Sequence, residues 1–348
     1  MTSTRCWPCC VRTMDWSWTD SVGVALTGPE APAHVAGWAR AAEQAGLGSL
    51  WIIEDYFHPG AFALAGAAAA VTERATIGLG VVNPYTRHPA LLAMETAALA
   101  GAAPGRVVLG LGSSNRRWIE TQMGIGFKTP LADLREGVAI VRRLLRGERV
   151  TVHGGRFDLD DVRLESPPPD EVPVLLGVKG PRALGLAAEV AEGVLCSILA
   201  SPGHVRRVRA TTAAARSVRF VVAAYITVLI DDDGPGARAK VKPLVARYLG
   251  LLHGQSILAD GGLGPERTQP FRDALLRPED AAHLVTDEMV EAVAVAGTPE
   301  ECRGKLRRWA EAGLDAVVAV VPPGVDFVEQ VTRIGRELSP AWKEMRCR

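Results

Sequence analysis

Eight apolar, β-branched runs alternate with amphipathic segments from residue 21 onward, and one helix-then-strand layout recurs along the chain. Together these predict an α/β fold, a (β/α)8 TIM barrel. The strand candidates are residues 21–27, 49–54, 76–82, 106–112, 172–178, 193–198, 218–230 and 316–322. They are nearly continuous Val, Ile, Leu and Ala, as expected of a parallel sheet covered on both faces. The recurrence is clearest between "ARAAEQAGLGSLWIIE" (39–54) and "RRWAEAGLDAVVAVV" (307–321), with 187–198 a looser copy. Gly46 and Gly313 stand where a helix C-terminal glycine belongs. An open doubly wound sheet is the alternative topology for the same alternation.

Taken in order, residues 1–20 read as a disordered leader, with Met14 an alternative start, and residues 21–348 as one barrel domain. In the segment 31–46, Val35, Trp38, Ala39 and Ala42 share one helical face. Two insertions interrupt the alternation. After strand 4, "VTVHGGRFDLDDVRLE" (150–165) alternates around Gly154-Gly155 as a hairpin does. Between strands 7 and 8, residues 233–294 are helical but broken by Gly and Pro, and carry no strand signal.

Of the 348 residues, 48% are hydrophobic and 22% charged, a core-forming composition, and the formal net charge is zero. Such a chain has no electrostatic grip on nucleic acid or on an anionic membrane surface. Its long apolar runs, such as 219–230, fall short of the ~20 residues that span a bilayer. No signal-peptide layout opens it, so a soluble, cytoplasmic protein is expected. The six cysteines include "CWPCC" near the N-terminus. No second Cys/His pair lies at finger spacing, so reduced thiols are expected rather than a zinc or redox site.

A barrel of this kind builds its site from the loops after its strands. After strand 2 come Glu54, Asp55 and His58. After strand 3 comes "NPYTRHP", which sets Tyr85, Thr86, Arg87 and His88 in succession before a helix. Glu54 and Asp55 are candidate acids or a helix cap. His58 and His88 are candidate acid–base groups. After strand 5, "GVKGPR" enters a helix with Pro181 at its first position. Its free amides, with Lys179 and Arg182, suit an anion such as phosphate; a plain tight turn is the other reading. No metal-ligand spacing occurs. No G-x-G-x-x-G, P-loop or G-x-S-x-G follows a strand.

The stretches "WIIEDYF", "GVVNPYTRHPALLA", "GLGSSN", "PVLLGVKGPRALGLAAEVAEGVL" and 284–318 together resemble the luciferase-like monooxygenase superfamily. The branch they resemble is the coenzyme F420-dependent one, related to methylenetetrahydromethanopterin reductase, over roughly residues 21–337. The resemblance implies a deazaflavin at the C-terminal mouth, with a non-proline cis peptide at Gly80-Val81. The ring would lean on Val81 and Val82 with Asn83 nearby, and Asp55 would face its polar edge. Gly112, Ser113 and Asn115 would form the opposite wall. Gly177, Val178, Lys179, Gly180, Pro181 and Arg182 would hold the tail phosphate.

The implied activity is hydride transfer between the deazaflavin C5 and a small substrate with a C=N or C=C bond. A secondary-metabolite intermediate is one such class, with Glu54, Asp55, His58 or His88 relaying the proton. The reductase has carboxylates where this chain has Ala25 and Asn115, so a substrate other than the pterin is expected. Relatives in this family are commonly homodimers. A reduced-FMN and O2-dependent monooxygenase is the first alternative. A barrel that binds flavin or deazaflavin without turnover is the second.

Overall fold

The computed structural model of the chain describes residues 16–347 apart from 27, 29–30, 56 and 216–219. The cysteines at 6, 9 and 10, and the expected leader up to residue 15, lie outside the described residues. The strands are β1 (Gly23–Leu26), β2 (Ser49–Ile52), β3 (Thr76–Val82), β4 (Val107–Leu111), β5 (Val150–Val152), β6 (Leu159–Val162), β7 (Val174–Leu176), β8 (Gly193–Cys196), β9 (Val221–Ile230), β10 (Ala294–Gly297) and β11 (Ala316–Val320). Eight of them close a parallel barrel in the order β1-β2-β3-β4-β7-β8-β9-β11, and β11 pairs back onto β1. Each of the eight lies within the limits expected from sequence. The residues trimmed from their C-terminal ends enter the mouth loops.

Helices α1 (Ala31–Gln44), α2 (Ala61–Ala69), α3 (Pro89–Ala102), α4 (Pro130–Leu145), α5 (Pro181–Val190) and α6 (Pro202–Thr211) follow the first six barrel strands and cover the sheet. Gly46 and Gly313 adopt φ of +80° and +92°, the left-handed geometry that ends a helix without a Cβ penalty. The hairpin is present as β5–β6, with Gly154 at φ +81° in its turn. The helical insertion is also present: α7 (Gly234–Leu251), α8 (Ser256–Ala259), α9 (Pro265–Asp273), a 3-10 segment (Pro278–Leu284) and α10 (Asp287–Val293). Helices α11 (Pro299–Glu311), α12 (Phe327–Glu337) and α13 (Ser339–Arg346) complete the chain.

Two features depart from the sequence reading. A ninth strand, β10, pairs in parallel with Thr227–Ile230 at the C-terminal half of β9. It is four residues long and starts directly from α10, too short for its period to separate strand from helix end. Residues 16–20, expected in the leader, instead belong to the packed fold. Ser17–Asp20 form a 3-10 turn, Trp18 is buried against Trp51 with ring centroids 5.6 Å apart, and the Trp342 indole donates to the Thr19 carbonyl at 3.0 Å.

β3 carries the irregularity that shapes the mouth. Its register with β4 runs through Leu79↔Leu109 and resumes at Val82↔Leu111, so β3 holds one extra residue there. The Gly80-Val81 peptide bond inside this bulge is cis. The Tyr225 hydroxyl, from β9, donates to the Gly80 carbonyl at 2.7 Å. A Cβ on Gly80 would run into that hydroxyl and lie 2.7 Å from Leu195 Cδ2, so only glycine fits. Gly80→Ala is therefore expected to destabilise the barrel by about 1–3 kcal/mol through overpacking. Gly185→Ala, in α5 with open space at its Cβ, should instead stabilise by about 0.5–1 kcal/mol. Urea denaturation of the two variants beside the parent chain checks both signs.

Candidate active site

The bulge presents Val81 to the ends of β4 and β7. A Cβ on Gly112 would sit 2.8 Å from Val81 Cγ2, and one on Gly177 2.7 Å from Val81 Cγ1. Both positions must lack a side chain for Val81 to lie between them. Three strand ends thereby form one apolar platform, whereas the resemblance had set Gly112 on the wall opposite Val81 and Gly177 with the phosphate. Val82 differs: it is wholly buried in the core and offers no surface there.

The loop after β3 owes its composition to fastening. Asn83 is buried, and its Oδ1 accepts from the Tyr85 and Thr86 amides at 2.9 and 3.0 Å. The Tyr85 hydroxyl donates to Asp133 on α4 at 2.9 Å, and its ring packs on Phe127. Arg87 donates to both oxygens of Glu54, at 2.7 and 2.6 Å, and meets Glu95 at 3.1 Å. His88 caps α3, its Nδ1 accepting from the Ala90 amide at 3.2 Å. Each side chain ties the loop to a different neighbour. Glu54 is thus one half of an ion pair, its side chain 5% exposed, and His88 is an exposed helix cap. His58 is also exposed, on the loop after β2. The structure does not bring these three together. Asp55 is half-buried at the end of β2, within electrostatic reach of Tyr248 on α7.

On the other side, α5 begins at Pro181 with Gly180 as its N-cap and no side chain capping it. Val178 is buried behind this turn, and Gly177 is half-buried at the mouth. Lys179 is half-buried and makes no ion pair among the described residues. Burial pulls its ammonium down to a pKa of about 8. Arg182 is exposed and borders a groove between α4 and α5 with Leu131, Arg135 and Glu136. Ser113 is half-buried; Asn115 is exposed and accepts from the Trp118 amide at 3.1 Å.

Beyond Lys179, Ser201 caps α6, and the buried His204 holds Asp260 of the insertion at 2.8 Å through Nδ1. Burial lowers the His204 pKa, which keeps the ring neutral.

Sequence reading missed Tyr225, the Glu54–Arg87 pair, His204–Asp260 and Tyr248. A tyrosine inside the otherwise apolar run 221–230 was the one available signal, since a buried phenol needs a partner. Among the described residues, no group of His, Cys, Asp or Glu is placed to hold a metal, and no helix is long and apolar enough to cross a membrane.

The luciferase-like monooxygenase family profile matches residues 14–316. A 5,10-methylenetetrahydromethanopterin reductase from Archaeoglobus fulgidus is 30% identical over 88% of this chain and 95% of its own. The same-named protein of Methanolobus tindarius is 29% identical over 87% and 95%. The solved coenzyme F420 dependent tetrahydromethanopterin reductase of Methanopyrus kandleri superposes with a TM-score of 0.82. That match is 26% identical and covers 92% of this chain and 98% of that one. With a closed eight-stranded barrel, a bulge at its third strand and similarity along most of its length, the chain belongs to the luciferase-like monooxygenase family.

Proposed function

We propose that the chain is an F420-dependent oxidoreductase that transfers a hydride between the deazaflavin and a small organic substrate. The observation that carries this reading is Lys179: a half-buried ammonium with no carboxylate partner, two residues beyond the Gly177 edge of the Val81 platform. A flat apolar surface next to an uncompensated cation suits a ring with a phosphate tail. F420-dependent relatives support the same choice. When bound, the deazaflavin supplies or takes up a hydride at C5.

The chain's own residues do the positioning. Val81 backs the ring, with Gly112 and Gly177 leaving the room it needs on either side, and Ser113 follows at the mouth end of β4. Asp55 faces the polar edge. The Val178–Gly180 amides and Lys179 hold the phosphate, the Gly177 amide being bonded to the Leu111 carbonyl at 2.8 Å. The Asn83, Tyr85 and Arg87 contacts keep this surface in place before a ligand arrives, which lowers the ordering cost of binding. Ala25 and Asn115 offer no carboxylate to a pterin, so the substrate is a different compound with a double bond open to hydride.

Fluorescence titration of the purified chain is expected to show F420 binding more than roughly tenfold tighter than FMN, a difference of about 1.4 kcal/mol. Tighter FMN binding, with O2-dependent turnover and no reaction with reduced F420, would sink the proposal. Lys179→Met should weaken F420 binding by roughly 10- to 100-fold, the loss of a charge-assisted contact of about 1.5–3 kcal/mol.

The pH dependence has a definite sign. Burial lowers the Lys179 pKa to about 8 in the free protein, and a bound phosphate raises it. F420 affinity is then highest below pH 8 and falls above it, by at most about tenfold per pH unit. The Lys179→Met variant should show no such fall between pH 8 and 9.5, a window to be read by titration at about half-unit steps.

A further inference from the structure

We propose that the Tyr248 hydroxyl is the hydrogen-bond donor that meets the substrate in the barrel mouth, and that the substrate carries a carbonyl oxygen or imine nitrogen at the carbon exchanging hydride. This rests on the F420 reading above and names the substrate class for it.

The mouth needs a donor to the heteroatom on which negative charge grows during reduction. Two of the candidate groups are engaged elsewhere, and His58 is exposed on the loop after β2. Glu54 is held by Arg87, and His88 caps α3. The chain has four tyrosines, Tyr56, Tyr85, Tyr225 and Tyr248. Tyr56 lies outside the described residues; Tyr85 donates to Asp133 and Tyr225 to the Gly80 carbonyl. The Tyr248 hydroxyl makes no hydrogen bond among the described residues.

Its position is set by the insertion. Helix α7 packs on β9 and β10, and the Tyr248 ring lies half-buried against the barrel core. From there its hydroxyl is within electrostatic reach of Asp55, at the end of β2, and of Tyr225, which braces the bulge. Tyr248 therefore lies on the β9–β10 side of the barrel, near both Asp55 and Tyr225. Burial first, then the Asp55 carboxylate, raises its pKa above the ordinary phenol value, with Arg247 opposing. The group is a neutral donor across the working pH range. A C=O or C=N bond offers such a donor an acceptor atom; an unactivated C=C bond offers none.

Tyrosine labelled with 13C at Cζ reads this directly, because only four resonances arise. The line missing in Tyr248→Phe assigns Tyr248. When a simple ketone is added to protein saturated with oxidised F420 that line is expected to shift, while F420 affinity changes by less than roughly threefold in the variant. With reduced F420 and a panel of simple ketones and imines, Tyr248→Phe should lose about 100-fold in kcat, with the KM for F420 unchanged. A Tyr248 line that a simple ketone leaves unmoved in protein saturated with oxidised F420 would overturn the proposal. So would a variant rate within about threefold of the parent, or a parent chain that reduces C=C acceptors alone. Failure of F420 to bind the parent chain at all is a separate result: it removes the F420 reading, and this proposal with it.

Discussion

Where β3 leaves its register with β4, the Gly80 carbonyl turns into the barrel and is met by the Tyr225 hydroxyl at 2.7 Å. A buried carbonyl without a donor costs about 1–3 kcal/mol, so this contact from β9 makes the irregular strand tolerable. Tyr225 is fully enclosed, and burial holds its phenol well above the usual pKa, so it remains a donor. The consequences run outward. Gly80 must lack a side chain because Tyr225 occupies the space. Val81, displaced by the bulge, settles between Gly112 and Gly177. The mouth thus has an apolar platform whose position is fixed by a hydrogen bond across the barrel.

Charged side chains around the barrel separate structure from ligand capacity. Arg87, Arg142 and Arg209 each meet a carboxylate, and Arg106 is satisfied by backbone carbonyls. A half-buried cation without such compensation is unfavourable unless something else supplies it. Lys179 is in that position, beside an uncapped helix start. Paired residues hold the framework in place; Lys179 makes no ion pair among the described residues.

Much of this was readable from the chain alone. All eight barrel strands, the hairpin and the helical insertion follow from period, length and glycine placement, because a parallel barrel buries both faces of every strand. The Gly-Val-Val bulge was found by resemblance, since a glycine required by close approach looks like any other glycine, whereas the Gly-Val-Lys-Gly-Pro turn was legible from its proline, its amides and its basic residues. What periodicity could not reveal is partnership. Nothing local joins Glu54 to Arg87, Tyr85 to Asp133 or His204 to Asp260; the fold brings these pairs together from 33 to 56 residues apart. For the same reason His88 stood among the candidate acid–base groups when it is a helix cap. Tyr248 sits in an insertion with no recognisable pattern and gains meaning only from where α7 lies. The short β10 and the buried Trp16–Asp20 turn were missed because each is too brief to show a period.

The central claim is that the Val81 platform and Lys179 serve one ligand, a ring at one end and a phosphate at the other. A crystal structure of the chain with F420 tests it most directly. The expected complex has the deazaflavin ring in van der Waals contact with Val81, and a tail phosphate oxygen within hydrogen-bond distance of Lys179 Nζ and the Val178–Gly180 amides. A complex with the ring away from Val81, or with the phosphate held elsewhere and Lys179 still without an anion, would contradict it.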